Sequence, residues 1–373
     1  MEIRDPIHGN IDLDETVAKI IDTPQMQRLR YIRQLDMTYL VFPGANHTRF
    51  EHSLGTMQVT RALLSSINEK EEEMPYAGML HDIGHGPFSH LSEDLIKLHL
   101  KKDHEKIGEE VVRNSGIKDI ISDSGLSFNK VMDYFTNPSK MDIVCGALGS
   151  DRIDYLMRDS HYTGVAYGVI DYERLKKRLV MHNGRVAVLE SGISAAESML
   201  LARYFMHLNV YMHHTRIIAL GMLQRAIGLA LDSGIIDAQE LSMMHDEQLI
   251  GRLLGSGSEH VSEMTKRVIG RKLFKRAVYK RVNTVIDTNE LEKGIVEAGF
   301  DKNDFVVKIV NLAGGSDDID VVDLDGNLTG KLTELSPLIK ALSGVLTNSG
   351  RLIVACDKKN AERVREAVNR IVG

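Results

Sequence analysis

The chain has 373 residues, enough for two or three domains with a sizeable core, and its 46 Lys and Arg against 52 Asp and Glu leave a net charge of -6. With 43% hydrophobic residues this excludes wholesale disorder and argues against a dedicated nucleic-acid coat protein, although KRAVYKR (Lys275 to Arg281) has the charge to meet phosphates. No apolar run suits a membrane helix, since Gly221 to Ile236 is broken by Arg225 and Asp232; MEIRDPIHG is not expected to be a signal peptide, and Cys145 and Cys356, each in an apolar setting, suit buried thiols of a cytoplasmic protein better than a disulfide scaffold or zinc ribbon.

Residues 1–14 read as a short extended segment and turn. Glu15 to Leu35 places apolar residues at helical intervals, with Pro24 dividing the run in two. VFPGANHTRF is a loop, after which EHSLGTMQVTRALLSSI and YAGMLHDIGH carry the helical period up to Gly84 and Gly86. Helices continue through LSEDLIKLHL, EKIGEEVVRNSG and KMDIVCGALGSDRIDYLMRDSHYTG. Residues 181–189 predict a hairpin turning at Asn183 and Gly184. Long helices are expected from Ile193 to about Leu231 and from Asp237 to about Val282. Beyond them FVVKIVN, IDVVDLDGN and RLIVACD read as strands, and PLIKAL and AERVREAVNRIV as helices. The expected fold is mainly α: a helical core over 1–235, a helical extension with RKLFK over 236–289, and a small α+β domain over 290–373.

Of the 15 histidines, seven fall between His47 and His104, so the chemistry is sought there. His81-Asp82, in MLHDIGHGPFSH, offers two metal ligands from one helix end. Such a dipeptide means little alone, but His52 precedes it on another helix, and Asp151 and Asp154 follow on a third. Two histidines and two carboxylates make an N/O site for a first-row divalent ion, with positions left open for water or a phosphate oxygen.

RFEHSLG, HDIGHGPFSH and SDRIDYLMRDSHYTG, in that order, resemble the H…HD…D signature of the HD-domain phosphohydrolases. Within them the likeness is to the deoxynucleoside triphosphate triphosphohydrolases, the branch that includes the animal sterile-alpha-motif and HD-domain protein. It runs from DPIHG (Asp5 to Gly9) through RLRYIRQL to RKLFK and DFVVKIVN. The resemblance implies a helical HD core and one divalent ion, Mn, Fe, Mg, Ni or Zn, on His52, His81, Asp82 and Asp151. It implies hydrolysis of a dNTP to deoxynucleoside and intact triphosphate, with His90 and His104 as the acid–base pair and His85 nearer the α-phosphate. His85, four residues after His81, is alternatively a ligand to a second metal.

By the same resemblance Arg49, Arg152 and Arg203 meet the triphosphate, Gln34 and Asp159 the sugar 3′-hydroxyl, and Tyr211 packs under the sugar, with Tyr155 and His207 also among the substrate contacts. Asp22, Gln27 and Arg30 match positions that read the guanine of an activating GTP or dGTP, whose phosphates meet Arg271 and Lys275 of a neighbouring subunit. A homo-oligomer, dimer or tetramer, is therefore implied. Leu189, Ser191 and Met1 depart from the pattern where basic residues would serve a second effector. The competing expectations are an HD phosphodiesterase or nucleotidase, and a nucleotide or single-stranded nucleic-acid binding protein. Nucleic acid is not otherwise indicated, and no membrane partner is expected.

Overall fold

A computed structural model describes residues 1–282, 286–311, 318–346 and 350–372. Contacts divide the chain into two compact units, the first Met1–Met206 with Ala238–Glu247 and Ser316–Ala341, the second His207–Asp237 with Gln248–Gly315 and Leu342–Gly373. Helices dominate, and strands accompany them toward the C-terminus, as the sequence leads one to expect.

The first unit opens with an antiparallel pair, Glu2–Asp5 and Gly9–Asp12. Pro24 does divide the next run: the helix Glu15–Ile21 is capped by Asp14, which accepts the Val17 N–H, and Pro24–Arg28 begins at the one helical position where proline loses no hydrogen bond. The helix Arg49–Ile67 starts at a capping box, in which the Thr48 N–H donates to Glu51 Oε2 at 2.6 Å. It packs on Met74–Leu80 and Ser150–Thr163, so the three helices that bear the H, HD and D motifs are neighbours.

The hairpin is Leu179–His182 with Arg185–Leu189, and Asn183 and Gly184 take φ of 50° and 76°, the left-handed pair that a tight two-residue turn requires. Its second strand also pairs in parallel with Asp320–Val322, which pairs with Leu328–Lys331 to complete a four-stranded sheet. A segment remote in sequence thus joins the first unit.

In the second unit Gly350–Cys356 lies between Lys275–Val282 and Phe305–Asn311 in an antiparallel sheet. Leu352, Val354 and Phe305 pack with Leu291, Ile295, Val364 and Val368 of the helices Thr288–Glu297 and Ala361–Val372.

Three expectations are corrected. The helix expected from Ile193 to Leu231 is interrupted: Ile193–Met206 passes into a π-helical turn, His207–Tyr211, and a new helix starts at His214 with His213 as its cap. No proline or glycine announces this break, which lies in a wider backbone loop marked by the Met212 N–H donating to the His207 carbonyl at 2.9 Å. The helix expected from Asp237 to Val282 is three helices, Ala238–Met243, Asp246–Leu254 and Glu259–Ile269, followed by the strand Lys275–Val282; the helical period ends at Gly270, and partner strands decide the conformation of KRAVYKRV. Of the cysteines Cys356 is buried, but Cys145 is exposed, near the end of a helix of one turn. Among the described residues no helix is long and apolar enough to cross a membrane.

One glycine ties the fold to the site. A Cβ on Gly84 would lie 2.1 Å from the His104 carbonyl oxygen and 2.3 Å from Gly108 N, so the helix His104–Arg113 rests directly on the turn after His81-Asp82. Gly84→Ala is expected to cost about 1–3 kcal/mol through this backbone clash. Calorimetry should show a melting point lower by several degrees, and an unchanged melting point would contradict the packing.

Candidate metal centre

His52 points from the first turn of its helix and is wholly buried. Its Nδ1 bonds Asp154 Oδ2 at 2.8 Å, which leaves Nε2 to face the site. Nε2 is 3.1 Å from Asp151 Oδ1 and 3.6 Å from Asp82 Oδ2, yet makes no aligned hydrogen bond. His81 is fixed in the same manner: its Nδ1 bonds the Gly78 carbonyl oxygen at 2.7 Å, and Nε2 faces Asp82 Oδ1 at 3.2 Å and Asp151 Oδ1 at 3.8 Å. Ligand atoms of His52, His81 and Asp151 all lie within 4.8 Å of one another, with the Asp82 carboxylate beside them.

This donor set fits a divalent cation. A buried imidazole nitrogen without a hydrogen bond is costly unless something else occupies its lone pair. Burial works against charge on His52, but the carboxylates of Asp151 and Asp154 raise its pKa to about 10, so they favour a positive charge at this spot, which a cation bound at Nε2 would supply in place of the proton. Burial also works against Asp82 and Asp151, but the Arg49 guanidinium beside Asp82, with His81 and His85 around it, and His52 and His81 around Asp151 hold both well below the usual carboxylate range.

Behind His52 stands an ionic layer. Asp154 takes His8 Nε2 on Oδ1 at 2.6 Å and Arg158 on both oxygens at 2.9 Å, while Arg158, fully buried, also donates to Asp5 Oδ2 at 2.8 Å. Gly55 of RFEHSLG makes room for it, since a Cβ there would fall 1.9 Å from Asp154 Oδ1. A carboxylate–histidine pair of this kind selects the tautomer and ring orientation of a metal ligand.

Beside the candidate ligands lies an imidazole cluster. The rings of His85 and His104 stack at 3.9 Å, and His90 stands edge-on to His85 at 5.1 Å. His85 Nε2 is 3.3 Å from Asp82 Oδ1. Glu93 grips the other two, bonding His90 Nδ1 at 2.8 Å and His104 Nδ1 at 2.5 Å. Burial lowers the pKa of His85, and the charges of Arg49 and His104 push it further down. Burial acts likewise on His104, but Glu93, Asp82 and Glu105 outweigh it and leave that imidazole above its ordinary value. The cluster therefore sets an imidazole that resists a proton against one that holds a proton more readily than usual.

The expected substrate residues divide between the two units. Arg49 donates to Asp82 Oδ2 and, through Nε, to Ser89 Oγ at 2.8 Å. The buried Gln34 has no hydrogen-bond partner on Oε1, and Asp159 Oδ1 bonds His47 Nε2 at 2.8 Å. Burial pushes the Tyr155 hydroxyl up to about 12 within the fields of Arg203, Asp151, Arg152 and Asp159, so these side chains share one neighbourhood. His207 and Tyr211 belong to the second unit, their rings edge to face at 5.1 Å.

For the expected effector residues, Arg30 Nε donates to Gln27 Oε1 at 3.0 Å and its guanidinium covers the Phe50 ring, while Asp22 is exposed at the end of the preceding helix. Arg271 and Lys275, in the second unit, line a cavity of about 230 Å³ with His214 and Arg276.

Sequence reading passed over Glu93, His8, Arg158 and Asp5. Glu93 had a signal, a carboxylate one helical turn after His90. His8 and Asp5 lie in the quoted DPIHG segment, but nothing in sequence spacing links that segment to Asp154.

The sequence model of the HD domain matches residues 49–156, and that of the HD-associated region matches 170–373. The chain belongs to the HD-domain phosphohydrolase family. This HD-domain chain is 38% identical to an uncharacterized protein of Methanocaldococcus jannaschii over 79% of its own length and 62% of that protein's, so it spans less than two thirds of that relative. It is 32% identical to human deoxynucleoside triphosphate triphosphohydrolase SAMHD1 over 57% of this chain and 41% of that one. A hypothetical protein from Aquifex aeolicus superposes with a TM-score of 0.83 at 32% identity over 99% of both chains. A phosphohydrolase from Bacteroides thetaiotaomicron, at 24% identity and a TM-score of 0.78, covers 96% of this chain and 100% of its own, a likeness of fold. HD-domain phosphohydrolases bind a divalent metal, and this chain carries a His/Asp cluster of the kind that could hold one.

Asp154→Asn is expected to weaken divalent-metal binding about 10–100-fold by releasing the His52 ring. Calorimetric titration of the metal-free protein with Mn²⁺ reads this directly, and an unchanged affinity would contradict the role given to Asp154.

Proposed function

We propose that this HD-domain protein is a metal-dependent dNTP triphosphohydrolase that releases deoxynucleoside and inorganic triphosphate. The observation that carries the reading is the buried His52 Nε2, which has no hydrogen bond and faces Asp151 and Asp82, immediately beside an imidazole cluster polarised by Glu93. Several relatives bear the name deoxynucleoside triphosphate triphosphohydrolase, among them the human protein and one from Bos taurus at 26% identity over 86% of this chain. A divalent ion held by His52, His81, Asp82 and Asp151 supplies Lewis-acid polarisation of a phosphoryl oxygen and lowers the pKa of bound water.

The chain's own residues do the rest. A water oxygen forms a bond to the α-phosphorus, the bond from that phosphorus to the 5′-oxygen breaks, and the 5′-oxygen leaves with a proton. His104, whose pKa Glu93 raises against burial, is the group to give that proton, with His90 sharing the same carboxylate. His85, kept neutral, receives a hydrogen bond or a proton beside Asp82. Arg49, Arg152 and Arg203 neutralise the triphosphate, and Gln34, Tyr155, Asp159, His207 and Tyr211 take the sugar. GTP or dGTP is the activator in this reading, with Asp22, Gln27 and Arg30 on the guanine, Arg271 and Lys275 of a second copy on its phosphates, and a dimer or tetramer as the active form.

A phosphodiesterase or nucleotidase is favoured by one observation, the second group of ligand atoms within 4.8 Å formed by Asp82, His85 and His104. Ion-exchange separation of the products of each dNTP with Mn²⁺, with and without GTP, discriminates. The expected result is intact triphosphate with deoxynucleoside, abolished by a chelator and stimulated by GTP; pyrophosphate with dNMP would overturn the reading. Glu93→Gln is expected to move the alkaline limb of kcat/KM to lower pH by about one unit, because the carboxylate that raises His104 is gone. An unmoved limb would exclude His104 as the acid.

A further inference from the structure

Asp246 stands far in sequence from every residue of the cluster, at the first position of Asp246–Leu254, and is fully buried within the first unit. A buried carboxylate persists where donors surround it. Its Oδ1 accepts the Phe88 backbone N–H at 2.6 Å, and its Oδ2 accepts the Arg33 backbone N–H at 3.1 Å and the Arg33 guanidinium at 3.2 Å.

These bonds hold the turn that precedes His90. Phe88 and Ser89 have φ of 55° and 54°, two consecutive non-glycine residues in territory that glycine ordinarily occupies. Such a pair survives only when its surroundings over-determine it. The second restraint is the Ser89 hydroxyl, buried, which donates to the Arg33 carbonyl at 2.8 Å and accepts from Arg49 Nε at 2.8 Å. His90 follows at once as the first residue of His90–Leu100, with 64% of its side chain exposed. Packing therefore does little to fix this imidazole, and its place is set by the backbone behind it and by Glu93 in front.

We infer that Asp246 is a positioning residue for the acid–base pair, locking the Phe88–Ser89 turn so that His90 meets Glu93 beside His104. It acts only through other residues. The inference rests on the proposed hydrolase reading in giving His90 a part in turnover. An acid suits this place better than an amide, because both oxygens accept from donors and an amide has one oxygen.

The test compares Asp246→Asn, which can keep the bond to Phe88 and loses that to Arg33, with Asp246→Leu, which loses both. For Asp246→Leu kcat should fall roughly ten- to a hundredfold, as expected when a catalytic group shifts by about 1 Å. KM and metal content should stay close to those of the parent protein, and Asp246→Asn should fall between the two. In a His90→Ala background Asp246→Asn should cause no further loss of kcat, since the group it positions is gone. The same fractional loss in that background, or full kcat in Asp246→Leu, would overturn the inference. If Asp246→Leu does not fold, the cycle with Asp246→Asn decides. A crystal structure of Asp246→Asn answers independently of turnover: the Phe88–Ser89 turn should relax and His90 should move, and an unchanged turn refutes the positioning role even if the parent protein proves not to act on dNTPs.

Discussion

A single buried cation organises the first unit. Arg158 has no exposed surface, and its guanidinium is neutralised by Asp154 and Asp5. Removing one partner of such an arrangement strands a charge in the interior, a loss of about 3–5 kcal/mol. The constraint reaches from the strand Glu2–Asp5 to the helix Ser150–Thr163, and through Asp154 to His52 on a third element. Because Asp154 is pinned by Arg158 and His8, the His52 ring has one orientation, and its Nε2 is presented to Asp151 and Asp82. The candidate metal site is thus assembled from behind.

The same logic of opposed charges governs the catalytic side. Asp82 lies against the Arg49 guanidinium, with ring nitrogens of His81 and His85 at 3.2 and 3.3 Å from its Oδ1, and so remains ionised despite its burial. The field of Arg49 that holds Asp82 ionised also depresses His85, while Glu93 sustains the charge on His104, which stacks on His85. Two adjacent imidazoles are pushed in opposite directions by their neighbours, one away from a proton and the other toward one, the arrangement that acid–base chemistry needs.

The H and D motifs were legible because each lies on a helix that the apolar period marks, and the HD motif because it closes a third such helix, so that the three can converge on one ion. The hairpin was legible in Asn183-Gly184, where turn chemistry is local. What was not legible came from distance or from backbone geometry. Nothing near His8 or Asp246 in sequence announces that each reaches the site, because the contact is made by folding. The π-helical turn after Met206 has no breaker residue, and Lys275–Val282 is a strand because Gly350–Cys356 pairs with it. Cys145, apolar in its sequence context, is exposed because its short helix ends beside it. Burial follows from tertiary placement, which composition does not report.

The central claim is that one cation is held by His52, His81, Asp82 and Asp151 with Asp154 behind them. Anomalous diffraction at the manganese edge from crystals grown with Mn²⁺ tests it most directly. The account predicts one dominant anomalous peak in contact with His52 Nε2, His81 Nε2 and the carboxylates of Asp82 and Asp151. A peak centred instead among His85, His90, Glu93 and His104, or no ordered peak in the first unit, would contradict it.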